Sequence, residues 1–218
     1  MALTQEKHSM NLLAEPAQML ADHELAAMAA ALMQSRQTIL PKRLTAPGPD
    51  AAQLELILTV AASAPDHGQL LPWRFVIVPQ AARAALAEVF GAALVERDAA
   101  ATPGQVAQAQ EKAHRSPLLM LVIVDGLCGD AEIDLAERIV SAGCAVQNML
   151  LVATAQGFGS ALTSGKALKS GPLRACFGLA ADEQALCFIS IGTVASRRPP
   201  RTRPAVADYV STLGSGAS

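Results

Sequence analysis

The stretch from Ala131 to Gln156 reads AEIDLAERIVSAGCAVQNMLLVATAQ and is rich in alanine. Apolar residues surround much of its helical circumference: Ile139, Ala142, Ala145, Val146, Met149, Leu150, Val152 and Ala153. This pattern predicts a helix that is buried on several faces. Gly157-Phe158-Gly159 follows it, and glycine readily adopts the left-handed conformation that ends a helix. We therefore predict that this segment is the central helix of the fold.

Apolar runs on either side of this helix predict strands. Leu118 to Val124 contains no polar residue, which is typical of a buried strand. Trp73 to Val78 is rich in β-branched and aromatic residues, and Cys187 to Gly192 predicts another strand after the helix. Ser160 to Thr163 is expected to be only a short segment after the helix cap.

Helices are expected at five further places along the chain. The first begins at Asp22 and carries an apolar stripe, and the second follows Asp50. The others are expected over Ala81 to Ala93, over Gly104 to Arg115 and near Pro172 to Phe177. Asp50 with Gln53 is a capping pattern, and that helix should stop before Pro65. The chain is predicted to be one α+β domain over residues 21–210, including an extended C-terminal arm, with a weakly specified extension at 1–20 and a flexible tail at 211–218.

Composition narrows the possible functions. The chain is 51% hydrophobic and 17% charged, so it can bury one sizeable core. Its net charge of −2 gives no reason to expect nucleic acid or an anionic membrane as a partner. No convincing signal peptide or membrane span is found, which predicts a cytoplasmic protein. The four cysteines lie far apart and predict reduced structural thiols.

Several common catalytic motifs do not fit. Gly157-Phe158-Gly159-Ser160-Ala161-Leu162 lacks the third glycine of a dinucleotide fingerprint and follows a helix, whereas the fingerprint follows a strand. The chain has no phosphate loop, nucleophile elbow or zinc-binding helix motif. We therefore expect no metal site, and hydrolytic chemistry is disfavoured.

Two polar segments could instead carry function. Ser35-Arg36-Gln37-Thr38 combines a guanidinium, an amide and hydroxyls at a helix end, which suits an anion. By composition alone a solvated helix end is the commoner explanation. Ala64-Pro65-Asp66-His67-Gly68 is a turn just before the strand that begins Trp73-Arg74-Phe75. His67 taken alone is more often structural than functional.

Together these segments resemble the nitroreductase family, in particular its YdjA-like NAD(P)H nitroreductase branch, over about residues 25 to 210. The matching pieces, in order, are Ser35-Arg36-Gln37-Thr38 with Pro41-Lys42-Arg43-Leu44, Ala64-Pro65-Asp66-His67 with Pro72-Trp73-Arg74-Phe75, Ser141-Ala142-Gly143-Cys144-Ala145-Val146-Gln147-Asn148, and Ala155-Gln156-Gly157-Phe158-Gly159. The resemblance implies a nitroreductase-like α+β fold, with a mostly antiparallel central sheet flanked by helices. It also implies an intertwined homodimer that binds FMN at its interface.

The resemblance further implies a flavin oxidoreductase. Hydride would pass from NADH or NADPH through flavin N5 to a nitroaromatic, a quinone or a similar small-molecule acceptor, with ping-pong kinetics. Because the flavin carries out the redox chemistry, no catalytic residue is assigned. The open alternatives are a non-catalytic FMN-binding or storage protein, a flavin enzyme for one specific metabolite, and a helical interaction protein without a cofactor.

The same resemblance implies which residues bind the cofactor. Arg36, Gln37 and Thr38 would hold the phosphate and the ribityl chain, and Ser63 and His67 would contact the flavin across the dimer interface. The other expected contributors are Pro65 and Asp66, which shape that turn, Leu162, Thr163 and Ser164 beside the flavin, and Arg201 or Arg203 from the tail at the phosphate. Relatives often carry an arginine where this chain has Gln37, and an aromatic residue and an arginine where it has Leu162 and Thr163.

Overall fold

The computed structural model describes residues 22–197, 199 and 201–214. The helices are α1 Asp22–Ser35, α2 Ala51–Thr59, α3 Arg83–Arg97, α4 Pro103–Glu111, α5 Leu135–Ala155 and α6 Gly171–Cys176. The strands are β1 Leu44–Thr45, β2 Trp73–Ile77, β3 Leu118–Asp125, β4 Gly159–Thr163 and β5 Glu183–Val194. The predicted extension at 1–20 and the end of the tail at 215–218 lie outside the described residues.

The five strands form one sheet, and every strand pair in it is antiparallel. β5 lies between β3 and β4, β2 pairs with the far side of β3, and β1 extends the sheet at the end of β5. The register sets Leu121 opposite Phe188 and Ala161 opposite Ser190. The predicted α+β fold with an antiparallel sheet is therefore confirmed.

Helices cover both faces of this sheet, and β3 supplies side chains to both layers. Successive residues of a strand point to opposite faces, so Leu118, Met120 and Val122 pack in one cluster with residues of α2 and α5. Leu119, Leu121 and Ile123 pack in the other, with residues of α3 and α6. The predicted buried strand is thus the shared centre of two hydrophobic layers.

The central helix begins later than predicted, at Leu135 rather than Ala131. The Asp134 side chain accepts hydrogen bonds from the backbone N–H groups of Ala136 and Glu137 and so caps the helix. Gly157 has a φ of +86°, and the N–H of Phe158 donates to the carbonyl of Ala153. The predicted glycine C-cap is therefore confirmed.

The prediction that Ile139 is buried is wrong, because it lies on the open side of α5 with 38% of its surface exposed. Ala136, Val140, Gly143 and Gln147 are also exposed and form a stripe along that side. Within the described residues, α5 is the one helix long and apolar enough to cross a membrane by length and composition. Its other faces pack in the protein core.

Other predicted boundaries differ by a few residues. α3 begins at Arg83 after a short 3-10 turn, and α4 begins at Pro103, where Thr102 and Gln105 form a capping box. The capping box of Asp50 with Gln53 is present at α2. The segment after the central helix is a full strand, β4, which its sequence did not indicate.

Among the residues that the structure describes, Arg83 and Arg138 are the fully buried arginines, and neither has a carboxylate within 4.0 Å. Arg83 and Arg138 are each 1% exposed. Arg83 donates to the carbonyls of Val78, Ala113 and Pro117, at 2.9, 2.7 and 3.3 Å. Arg138 donates to the carbonyls of Ile133, Cys128 and Asp130, at 2.9, 2.7 and 2.6 Å. Each side chain thus links separate backbone segments through their carbonyl groups.

Candidate cofactor site

The segment that leaves α1 lies along the edge of β4. Thr38 forms an isolated parallel bridge with Ser160, and the N–H of Ile39 donates to the Ser160 carbonyl at 2.9 Å. Gly159 permits this close approach, since a Cβ there would lie 2.7 Å from a Val194 methyl carbon and 3.0 Å from Ile39 Cβ. The sheet therefore fixes the position of the polar segment that ends α1.

A basic cavity of about 340 Å³ lies at this position. Its lining is Arg36, Gln37, Thr38, Ile39, Leu40, Arg43, Pro199, Arg201 and Arg203. Among the described residues that line it, four are arginines and none is acidic. The tail closes one side, where Arg203 Nη2 donates to the Arg36 carbonyl at 3.2 Å. Guanidinium, amide and hydroxyl donors converging on one cavity are the chemistry that a phosphate requires.

The other end of β4 brings Leu162, Thr163 and Ser164 to the same edge of the sheet. The Leu162 side of the strand is open to solvent, with 45% of that residue exposed. Thr163 and Ser164 border a second cavity, of about 670 Å³. Leu40 lines both cavities, so the two adjoin. Six predicted cofactor residues, at 36–38 and 162–164, therefore lie along one edge of a single chain.

The predicted turn at Ser63, Pro65, Asp66 and His67 lies elsewhere. It precedes β2, which is at the edge of the sheet opposite β4. The Asp66 carboxylate accepts a hydrogen bond from the Leu71 N–H at 2.7 Å, and His67 Nδ1 lies 2.8 Å from Glu137 Oε2. Both bonds hold the turn in shape while the Ser63 and His67 side chains stay exposed.

In the described part of the chain, no hydrogen bond joins this turn to Arg36 or to β4, and neither of the two cavities extends to it. The predicted residues therefore form two separate groups in one copy of the molecule.

Arg43 belongs to one of the matching motifs but was not predicted as a site residue, although it lines the basic cavity. A second arginine seven residues after Arg36 was the sequence feature that could have indicated this role. In the described part of the chain, no cluster of three or more metal-ligating side chains occurs.

Comparison with known proteins identifies the family. A family model described as Nitroreductase family matches residues 33–193, which include both β4 and the turn before β2. The chain belongs to the nitroreductase family. This is a family of enzymes, and the predicted resemblance is confirmed.

Two curated relatives support the same assignment. A Haemophilus influenzae protein named "Putative NAD(P)H nitroreductase" is 36% identical over 152 residues, covering 70% of this chain and 82% of the relative. The Escherichia coli K12 protein YdjA, which carries the same description, is 34% identical over 154 residues, covering 69% of this chain and 81% of YdjA. The predicted similarity to the YdjA-like branch is thus confirmed.

Solved structures share the fold. A nitroreductase-like family protein from Bacillus cereus superposes with a TM-score of 0.73 at 17% identity, covering 85% of this chain and 95% of that one. The FMN- and NADPH-dependent nitroreductase NfnB from Sphigopyxis sp. strain HMH superposes with a TM-score of 0.67 at 18% identity, covering 85% and 99%. The nitroreductase-like fold is therefore confirmed.

Proposed function

We propose that this nitroreductase-family chain is an FMN-dependent oxidoreductase that takes hydride from NADH or NADPH and reduces a small acceptor in ping-pong fashion. Nitroaromatic compounds and quinones are the acceptor classes that we expect. We further propose that it acts as a homodimer in the cytoplasm. The observation that carries the proposal is the basic cavity beside β4, at the segment that family resemblance assigns to the flavin phosphate.

The donor set of this cavity fits FMN. A phosphate monoester carries nearly two negative charges at neutral pH, and Arg36, Arg43, Arg201 and Arg203 surround the cavity without an acidic neighbour in its described lining. Thr38 and Gln37 add a hydroxyl and an amide for ribityl oxygens. Arg36 is the central contact in this proposal, because it is half-buried and held between α1 and β4.

The ring of the cofactor would lie toward Leu162, Thr163 and Ser164, which continue along the same sheet edge. FMN bound there would supply N5 for hydride transfer and would carry two electrons to the acceptor. The protein's part is to hold the ring, present its face to both substrates in turn and limit water. Leu162 offers an apolar surface for that purpose, since its side chain has no hydrogen-bonding group.

The separation of the turn from this edge supports a dimeric site. Ser63, Pro65, Asp66 and His67 cannot reach the β4 edge of their own chain in this fold, so a second copy would supply them. Two exposed apolar surfaces are available for that contact: Leu25, Met28 and Met33 on α1, and the Val140 stripe of α5. Exposed large apolar side chains in such number mark association surfaces.

The visible spectrum of the purified protein tests the proposal directly. Oxidised protein should show flavin absorbance bands, and anaerobic NADH or NADPH should bleach them. Stable bands would favour the alternative of FMN binding without turnover. A colourless protein that takes up no added FMN would overturn the proposal, and light scattering of the same sample would report whether it is a dimer.

A nitroaromatic and a quinone should then reoxidise the bleached protein. Rapid bleaching followed by failure with both acceptor classes would favour the alternative flavin enzyme for one specific metabolite. Steady-state rates measured at several fixed acceptor concentrations should give parallel double-reciprocal lines. Intersecting lines would contradict the ping-pong order.

A further inference from the structure

The positive charge of the chain is concentrated around the two cavities. The chain has 17 Lys and Arg residues and 19 Asp and Glu residues. Four arginines line the basic cavity, and five further cations line the adjoining cavity of about 670 Å³: Lys42, Arg97, Lys112, Arg115 and Lys166. Asp98 is the one acidic residue in either described lining. More than half of the cations thus face two cavities on a chain whose net charge is negative.

The larger cavity, called here the second cavity, has an apolar floor beneath its cationic rim. Phe90, Leu94, Leu119, Leu168 and Phe188 contribute to this floor. The rings of Phe90 and Phe188 meet edge to face, with centroids 5.6 Å apart. Phe188 is buried and also packs against the ring of Phe177, so the half-buried Phe90 is the ring of this pair that can offer surface to another aromatic group.

Some cations of the rim already pair with a carboxylate, and others do not. Arg115 forms an ion pair with Glu111, one turn earlier. In the described part of the chain, Lys42, Lys112 and Lys166 have no carboxylate within 4.0 Å. All three are exposed, so their ammonium groups can turn toward a bound anion without first breaking an ion pair.

We propose that the second cavity selects an acceptor whose aromatic ring carries a carboxylate. This inference rests on the proposed function, because Thr163 and Ser164 connect the cavity to the expected flavin edge. The apolar floor would take the ring, and Lys112 and Lys166 would bind the carboxylate on the rim. The basic cavity beside it remains assigned to the cofactor phosphate, so each cavity has its own anion.

The test separates the acceptor from the donor by measuring each half-reaction. The FMN-loaded protein is bleached with NADH or NADPH, and its reoxidation by 4-nitrobenzoate is compared with reoxidation by neutral 4-nitrobenzamide. We expect 4-nitrobenzoate to react at lower concentration. In the double variant Lys112→Gln and Lys166→Gln, we expect this preference to fall by about tenfold, since two exposed ion pairs are lost. The matched control is Lys169→Gln, which should retain the preference. Lys169 is exposed and follows Lys166 closely in the sequence, but it does not line the cavity.

Binding without turnover gives an independent readout. Calorimetric titration of the oxidised, FMN-loaded protein with 4-nitrobenzoate should show the same loss in the double variant and none in Lys169→Gln. Equal affinity for the two probes, or a loss confined to the NADH and NADPH half-reaction, would overturn the inference. Flavin bands and bleaching in the same samples report on the proposed function, so the failure of one is distinguishable from the failure of the other.

Discussion

Two sets of arginines in this protein use the same side chain in opposite ways. Arg83 and Arg138 are almost completely buried, and each donates to three backbone carbonyls. Arg36, Arg201 and Arg203 border an open cavity. Within the described residues, their guanidinium groups make one hydrogen bond, from Arg203 to the Arg36 carbonyl.

The difference shows which charges stabilise the fold and which are available to a ligand. Burial lowers the pKa of Arg83 below its ordinary value, yet a guanidinium stays protonated in proteins. Its three carbonyl acceptors compensate the lost hydration. The cavity arginines keep their hydration until an anion replaces it, so they should contribute to binding more than to folding.

The largest effect is expected for Arg83→Met. Removal of the guanidinium leaves the carbonyls of Val78, Ala113 and Pro117 without that donor, and unsatisfied buried groups are costly. We expect the free energy of unfolding to fall by about 3 kcal/mol, which lowers the melting temperature by roughly 10 °C. Thermal unfolding followed by circular dichroism measures this. A change smaller than that of an exposed substitution such as Lys169→Met would contradict the structural role.

The second prediction concerns Arg36→Ala, which should weaken cofactor binding and leave the stability of the fold nearly unchanged. One charge-assisted contact to a phosphate is worth about 2 to 3 kcal/mol, so FMN affinity should fall roughly 100-fold. The melting temperature of the FMN-free protein should change little. Quenching of FMN fluorescence on titration gives the affinity, and Lys169→Ala, which lines neither cavity, serves as control. Equal FMN affinity in Arg36→Ala and the control would remove Arg36 from the site.

Arg203→Ala should have the same direction and a smaller magnitude. The residue is exposed on the tail, and exposed ion pairs contribute up to about 1 kcal/mol, which corresponds to roughly fivefold in affinity. The loss should shrink further as salt is added, because screening acts most strongly on exposed charges. FMN titrations at two ionic strengths test this. A loss that is independent of salt would show that Arg203 acts through its contact with the Arg36 carbonyl rather than through charge.

The two sets also show how far the sequence could predict this structure. The buried strand β3 and the central helix were predictable because long apolar runs allow few other environments. β4 was missed as a strand, because Gly159-Ser160-Ala161-Leu162-Thr163 has neither an alternating nor a continuous apolar pattern. Ile139 was expected to be buried because periodicity does not distinguish a buried helix face from an exposed apolar one.

For the candidate site, the motif indicated Arg36 and its neighbours but not the surroundings in which the fold places them. Arg203 meets Arg36 across 167 positions of sequence, and no local pattern encodes such a contact. The cations of the second cavity come from segments that only the fold brings together, and Lys112 lies in a mixed-charge stretch without any motif. The buried role of Arg83 was equally hidden, since its partners are backbone carbonyls.

Arg74 lies between the two sets, because it is partly exposed and paired with a carboxylate. Its side chain is 43% exposed, and it donates to both oxygens of Glu183, at 2.6 and 2.9 Å. The hydrogen bond from Arg74 is the main cause that lowers the pKa of Glu183 below its ordinary value, and the Ala180 N–H adds to it. A carboxyl with a lowered pKa stabilises the fold above its unfolded pKa, and this contribution is lost as pH falls through the folded one.

Arg74→Gln should therefore reduce stability at neutral pH by up to about 1 kcal/mol, because the pair is partly exposed. The difference from the unsubstituted protein should disappear as the pH falls through the lowered pKa of Glu183, where the carboxyl is protonated in both proteins. Urea unfolding at a series of pH values measures this convergence. Arg115→Gln is a suitable comparison, since the pKa of its more exposed partner Glu111 is also lowered, mainly by the Arg115 hydrogen bond. A difference that persists unchanged into acid would mean that Arg74 stabilises the protein by packing, as Arg83 does by its carbonyl contacts, and not through its charge.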